Sequence, residues 1–274
     1  LLASSAASDV YKRQDHTFAI CAYKESPYLE SCIKSVLNQS VKTKVAISTG
    51  TPNDYIRKIA EKYQLPLWVN EKKSSIANDW NYAISCADTE LVTLAHQDDI
   101  YEKNYLKCIF EGYQRAKDPI ILFTDYGELR NNKKVIKNKL LVIKRILLFA
   151  LRCPKMWNSI FVRRRILSLG SAICCPAVTL NKEMIEEPLF EDNMKSNIDW
   201  QAWEKLSRKK GAFVYIPKKE MLHRIHEEST TSKILEDCER KSEDLIMFRK
   251  FWPEVIAKKI ERIYQKSEKS NEVK

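Results

Sequence analysis

The first readable stretch of the chain is an apolar run, "HTFAICAY" (16–23), followed by a segment in which Leu29, Ile33, Val36 and Leu37 fall on one side of a helix. Short apolar runs read as buried strands, and apolar positions recurring every three or four residues read as amphipathic helices. The pair then repeats. "KVAIST" (44–49) is a strand and 53–64 a helix started by Asn53 or Asp54. "LPLWVN" (65–70) is a strand, and 75–87 a helix carrying Ile76, Trp80, Ala83 and Ile84 inward. "ELVTLAH" (90–96) is a strand with its helix at 102–116, and "PIILFTDYGEL" (119–129) is a fifth strand. Ser26 caps the first helix, and Pro27 takes its first position, where the missing N–H has no intrahelical partner to lose. Alternating strands and helices predict an α/β fold with a mainly parallel central sheet covered on both faces.

After Arg130 the rhythm changes. Residues 140–152 and 158–170 read as basic amphipathic helices separated by Pro154, and 172–185 returns to strand character. A helix over 198–211 ends at Gly211, 212–226 is a strand or strand pair, and 233–252 and 253–270 are terminal helices. The formal charge of +11 concentrates here: from Leu129 to Lys182 there is no Asp or Glu, while Arg and Lys recur throughout. Such a stretch predicts either an anionic partner or a solvated basic face. No run of about 18 uncharged apolar residues exists, and the nearest candidate, 140–151, is interrupted by Lys144 and Arg145. Residues 1–14 have neither the basic start nor the apolar core of a secretory signal and read as a non-native or disordered tail. The eight cysteines form no C-x-x-C pair and sit in apolar segments, which predicts buried free thiols in a reducing compartment.

The chemistry concentrates where the fourth strand ends, in "HQDD" (His96, Gln97, Asp98, Asp99). Open α/β sheets bind ligands outside the carboxyl ends of their strands, so these carboxylates stand where a site would be; a helix cap by Asp99 is the competing reading. Ala22-Tyr23 with "YLESCIKSVLNQS" (28–40), then "HQDD", "NIDWQAW" (197–203) and "HRIHEESTT" (223–231) together resemble glycosyltransferase family 2, of GT-A fold, over roughly residues 16–230.

The resemblance implies a nucleotide-binding α/β/α sandwich. Residues 15–128 would form the nucleotide-sugar half and 129–230 the acceptor half, with basic helices inserted at 140–168 and C-terminal helices over 231–274. It implies an inverting transfer from a nucleotide sugar to a glycan or lipid-linked glycan in surface polysaccharide synthesis, in the cytoplasm or peripheral on the inner face of the plasma membrane. Asp98 is then the ligand of a divalent cation, Mg or Mn, that holds the donor diphosphate, and Asp199 the base on the acceptor hydroxyl. Ala22, Tyr23, Glu25, Ser48, Thr49, Asn81, His96, Gln97, Asp98, Arg224 and His226 are the implied donor contacts, with Arg224 and His226 on phosphate. Trp200 and Asp99 fall on the acceptor side, Trp203 in the core, and Ser229, Thr230 and Thr231 in a closing loop or the start of the next helix.

The sequence departs from the family pattern at three places. His96 stands for the first carboxylate of the motif, Trp80 for an Arg, and Ser48-Thr49-Gly50 for the acidic base reader at the end of the second strand. The nucleotide is therefore open: UDP by default, with dTDP and GDP as options. A catalytically silent binding protein on the same fold is the alternative, and no nucleic-acid motif is present.

Overall fold

The computed structural model describes residues 15–226 and 238–269, with side chains over 15–226 and 241–265. The strands are β1 (His16–Cys21), β2 (Lys44–Thr49), β3 (Leu67–Val69), β4 (Leu91–His96), β5 (Ile100–Tyr101), β6 (Pro119–Arg130), β7 (Lys133–Val135), β8 (Val178–Asn181) and β9 (Ala212–Ile225). The helices are α1 (Leu29–Leu37), α2 (Asp54–Tyr63), α3 (Ile76–Cys86), α4 (Tyr105–Arg115), α5 (Lys139–Leu147), α6 (Ile160–Leu167), α7 (Ile198–Ser207), α8 (Cys238–Arg249) and α9 (Glu254–Lys269). The expected alternation is present and the fold class is α/β. The tail at 1–14 and the segment 227–237, which includes Ser229 to Thr231, lie outside the described residues.

One sheet runs in the order β3-β2-β1-β4-β8-β6-β9-β5, with β7 added to β6. Its first half is parallel, and its register aligns Cys21 with both Ser48 and His96. The carboxyl ends of three strands thus open at one edge. The second half is mixed. β8 enters antiparallel between β4 and β6, whereas β9 runs parallel to β6. β5, only two residues long, pairs Ile100 with Leu222 on β9, which folds the segment just after "HQDD" back against the end of β9. Among the described residues, no helix is long and apolar enough to cross a membrane.

The arginines of α6 are not one solvated face, contrary to the expectation of a basic amphipathic helix. Arg163 is fully buried against the Phe213 ring and donates to the Lys209 carbonyl at 2.6 Å. Arg164 reaches Glu204 at 2.7 Å, and Arg165 lies over Trp252. Their long stems make them packing residues as much as charges.

His16, at the start of β1, is buried with Nδ1 2.7 Å from Thr43 Oγ1 and Nε2 2.8 Å from Thr93 Oγ1. Burial without a carboxylate partner disfavours the imidazolium and lowers its pKa to about 3. The unfolded chain, titrating near 6.5, therefore binds a proton that the folded chain refuses. The stability this neutral ring contributes is complete above about pH 6.5 and is lost as pH falls toward 3, by about 1.4 kcal/mol per pH unit. In urea unfolding, wild type and His16→Gln should differ most at pH 7.5, and the gap should narrow steadily down to pH 5. Parallel curves would show that His16 does not titrate on unfolding.

Candidate active site

The two carboxylates of "HQDD" have opposite fates. Asp99 has no exposed side-chain surface; its Oδ1 accepts from the Arg224 backbone N–H at 2.8 Å and faces His223 Nδ1 at 3.0 Å. Burial by itself would lower the His223 pKa, but the Asp99 charge and hydrogen bond, with Asp98 beyond, outweigh it and hold the imidazolium up to about 9. Asp99 therefore welds the end of β9 to the turn after β4. It is not the cap of α4, which begins after Asn104, and a side chain so enclosed cannot touch an acceptor, which corrects that expectation.

Asp98 points the other way, with a fifth of its side chain exposed and Oδ2 3.0 Å from His226 Nε2. Burial alone would raise its pKa, but the His226 hydrogen bond and the nearby His223 and His96 rings leave it lowered, so it is ionised at neutral pH. Arg224, expected on phosphate, is mostly committed to the protein. Its Nε donates to the Asp98 carbonyl at 2.8 Å, Nη1 to Asn132 Oδ1 at 3.0 Å, and its guanidinium centre lies 4.3 Å from the Tyr28 ring. It props the turn that presents Asp98. The His226 ring sits beside the same Tyr28, 4.9 Å between centroids.

Gln97 is spent on the backbone of Tyr23, accepting from its N–H at 3.0 Å and donating to its carbonyl at 3.1 Å. This double bond ties the loop after β1 to the end of β4, leaving the Tyr23 ring half exposed and Glu25 exposed. Ala22 is buried, and its N–H goes to the Ser48 carbonyl at 2.8 Å. His96 stacks on Trp80 with centroids 5.1 Å apart and planes at 24°; burial lowers its pKa, and its buried Nε2 has no hydrogen-bond partner. Asn81 clasps the loop at 189–190, donating to the Phe190 carbonyl and accepting from the N–H groups of Leu189 and Phe190. Its amide holds backbone.

The end of β2 carries a residue that sequence reasoning missed. Ser48 and Thr49 are buried; Ser48 Oγ has no partner, and Thr49 Oγ1 accepts from Thr51 N–H at 3.0 Å. Beside them, a Cβ on Gly50 would stand 2.3 Å from Asp79 Oδ1. The Asp79 carboxylate, on the first turn of α3, is held there by Asn70 Nδ2 at 2.8 Å and Ser74 Oγ at 2.7 Å. Burial, then the Asp79 charge, pushes the Cys21 thiol up to about 12, which puts that charge at the end of β1 as well. In sequence, Asp79 looks like an ordinary acid in a helical first turn; the only hint is a glycine directly after a strand.

Asp199 lies in the first turn of α7, half buried, with Oδ1 accepting from Trp200 N–H at 2.7 Å. The loop before it is gripped from α8. Glu243 accepts from the N–H groups of Lys195, Ser196 and Asn197, and Asp244 accepts from Asn197 Nδ2 at 2.7 Å. The Cys174 thiol senses both distant carboxylates: burial raises its pKa, Lys144 opposes, and Asp99 and Asp199 both add to the rise. Trp200 is fully enclosed, with its indole N–H on the Leu167 carbonyl at 3.0 Å, so it cannot stack on a sugar as expected; Trp203 is in the core.

Among the described residues, no cluster of three or more His, Cys, Asp or Glu side chains is arranged to hold a metal ion by itself. The carboxylate of Asp98, with the His226 imidazole beside it, fits a different arrangement. Mg²⁺ or Mn²⁺ takes one protein oxygen and completes its shell with phosphate oxygens and water. Asp98 is the residue that would hold it.

A twisted α/β sheet, parallel in its first half and opening a carboxylate-lined edge at the ends of β1, β2 and β4, defines a GT-A-type protein. The chain matches the family described as glycosyl transferase family 2 over residues 17–183 and belongs to it. No protein of curated function matches it by sequence. Among solved structures it is similar to S. aureus TarS 1-349 in complex with UDP-GlcNAc, at 16% identity and a TM-score of 0.60, covering 90% of this chain and 70% of that one. It is also similar to the mannosyltransferase PcManGT from Pyrobaculum calidifontis in complex with GDP-Man and Mn2+, at 14% identity and a TM-score of 0.61, covering 94% and 75%. Against a longer TarS structure it spans 42% of that chain. Asp199 lies beyond the part matched by the family.

Proposed function

We propose that the protein is an inverting, metal-dependent glycosyltransferase that moves a hexosyl or N-acetylhexosaminyl group from a nucleotide sugar to a glycan or lipid-linked glycan acceptor of a surface polysaccharide. The observation that carries this reading is Asp98, ionised and partly exposed at the ends of the parallel strands, beside His226. Two similar structures, holding UDP-GlcNAc and GDP-Man with Mn2+, support a nucleotide-sugar donor. A bound divalent cation supplies positive charge against the diphosphate as it leaves. Asp199 takes the proton of the acceptor hydroxyl while the acceptor oxygen bonds to the anomeric carbon and the bond from that carbon to the diphosphate breaks.

Asp79 supplies the base-reading carboxylate, arriving from α3 where relatives send an acid from β2. A carboxylate only accepts hydrogen bonds, so it selects bases with a ring N–H, uracil or thymine (N3–H) and guanine (N1–H and the adjacent amine), over cytosine and adenine. The test is calorimetric titration with UDP, GDP, CDP and ADP, each with and without Mn²⁺. UDP or GDP should bind in a Mn²⁺-strengthened manner, and either Gly50→Ala or Asp79→Asn should weaken that binding about tenfold or more, the worth of a charge-assisted hydrogen bond. Equal affinity for all four bases in wild type would reject Asp79 as the reader. Donor binding with no hydrolysis of UDP-glucose, UDP-galactose or UDP-N-acetylhexosamines would favour the silent alternative, to which His96 in place of a carboxylate lends its support.

A further inference from the structure

Helix α5 and the 3₁₀ turn after it, Leu148–Arg152, bury Leu141, Leu148 and Leu151 but present a second apolar stripe to the outside. Lys139, Ile143 and Ile146 follow at i, i+4 and i+7 and are exposed, and Phe149 extends the stripe; Ile146 and Phe149 are 67% and 66% exposed. Two charges of the same helix, Lys144 and Arg145, turn toward the protein. Lys144 is half-buried, with Nζ 5.4 Å from the Tyr126 ring centroid, and Arg145 donates to Asp125 at 2.7 Å and to two backbone carbonyls. A helix that faces only water places these two kinds of residue the other way round.

The outward stripe borders a shallow groove of about 390 Å³ lined by Val142, Arg145, Ile146, Phe149 and Arg152. Exposed Arg152 and Lys155 continue the face, and no acid occurs between residues 129 and 182. This segment therefore pairs apolar tips with cations and contributes no anion of its own to the face. A second copy docking face to face would set the two cationic rims against each other. A nucleic acid would press phosphates against Ile143 and Ile146, which offer them nothing. An anionic bilayer satisfies both halves of the pattern, taking apolar tips below its headgroups and Lys or Arg beside its phosphates.

We propose that this face seats the protein on an anionic phospholipid surface, with Ile143, Ile146 and Phe149 entering the headgroup boundary and Lys139, Arg152 and Lys155 against lipid phosphate. This stands independently of the sugar chemistry. The test is cosedimentation of the full chain with phosphatidylcholine vesicles containing or lacking phosphatidylglycerol, at about 0.15 M salt, where charge attraction reaches about 8 Å. Wild type should bind only the anionic vesicles. Ile146→Ser/Phe149→Ser and, separately, Arg152→Glu/Lys155→Glu should each weaken binding by about tenfold or more. All four side chains are exposed, so circular dichroism and melting should match wild type. The proposal is overturned if wild type ignores anionic vesicles, if it binds both vesicle types equally, or if neither variant changes binding. It is also overturned by a solution dimer that Ile146→Ser/Phe149→Ser dissolves.

Discussion

Asp98→Ala should abolish Mn²⁺-dependent donor binding, lowering the apparent affinity for a nucleotide sugar by about a hundredfold or more in the presence of metal. The size follows from what is lost under the proposed role: an ionised carboxylate that would share a cation with diphosphate, in a site where partial burial strengthens charge interactions over their value in water. Binding without metal should change far less, because the proposed base reader, Asp79, is on α3 and not in the Asp98 turn. Asp98→Asn separates charge from shape, since it keeps an oxygen for His226 but no negative charge, and it should behave like the alanine variant. Calorimetric titration across Mn²⁺ concentrations reads the effect directly. A variant that binds donor and metal as wild type does would remove Asp98 from the ligand set. A variant that simply unfolds would be recognised by its melting temperature, and losing the side-chain hydrogen bond to His226 makes only a modest loss expected, about 1–3 kcal/mol.

Asp199→Asn should do the reverse, keeping donor and metal affinity within about twofold while cutting turnover by about 10²–10⁴, the usual worth of a general base. The substitution is structurally mild. Asp199 Oδ1 accepts from Trp200 N–H, and an amide oxygen can do the same, so the start of α7 should persist. What disappears is the capacity to take a proton. Hydrolysis of the donor, with water as acceptor, reports the loss before the natural acceptor is known. Unchanged hydrolysis would move the base elsewhere. Loss of donor binding together with turnover would make Asp199 a positioning residue of the α7 start.

The two carboxylates of "HQDD" show how far a linear reading reaches. Their place after a buried strand is visible because strand periodicity is local, and the parallel sheet then sets the strand end at the cleft. Their division of labour is not visible. Asp99 Oδ1 is held by His223 and Arg224, 124 and 125 residues along the chain, and only the pairing of β5 with β9 brings these together. Trp200 shows the same limit. A tryptophan after a first-turn Asp reads equally well as a sugar platform or as core, and packing against Phe248 from α8 decides for core. The carboxylate beside Gly50 was hidden because it comes from another element, over a glycine whose missing Cβ leaves it room.

The sequence by itself determined the order and type of the elements through residue 130 apart from the two-residue β5, the α/β class, the strand end that carries Asp98 and the family pattern, because each depends on neighbours within a turn or a strand. The tertiary structure alone decided that β8 inserts between β4 and β6, and that Glu243 holds the loop leading to Asp199. It also decided that Asp79 meets the end of β2, and that α5 turns Ile143 and Ile146 outward. These arrangements depend on which distant surfaces bury one another and which polar groups that burial forces to find partners, and no local periodicity encodes either.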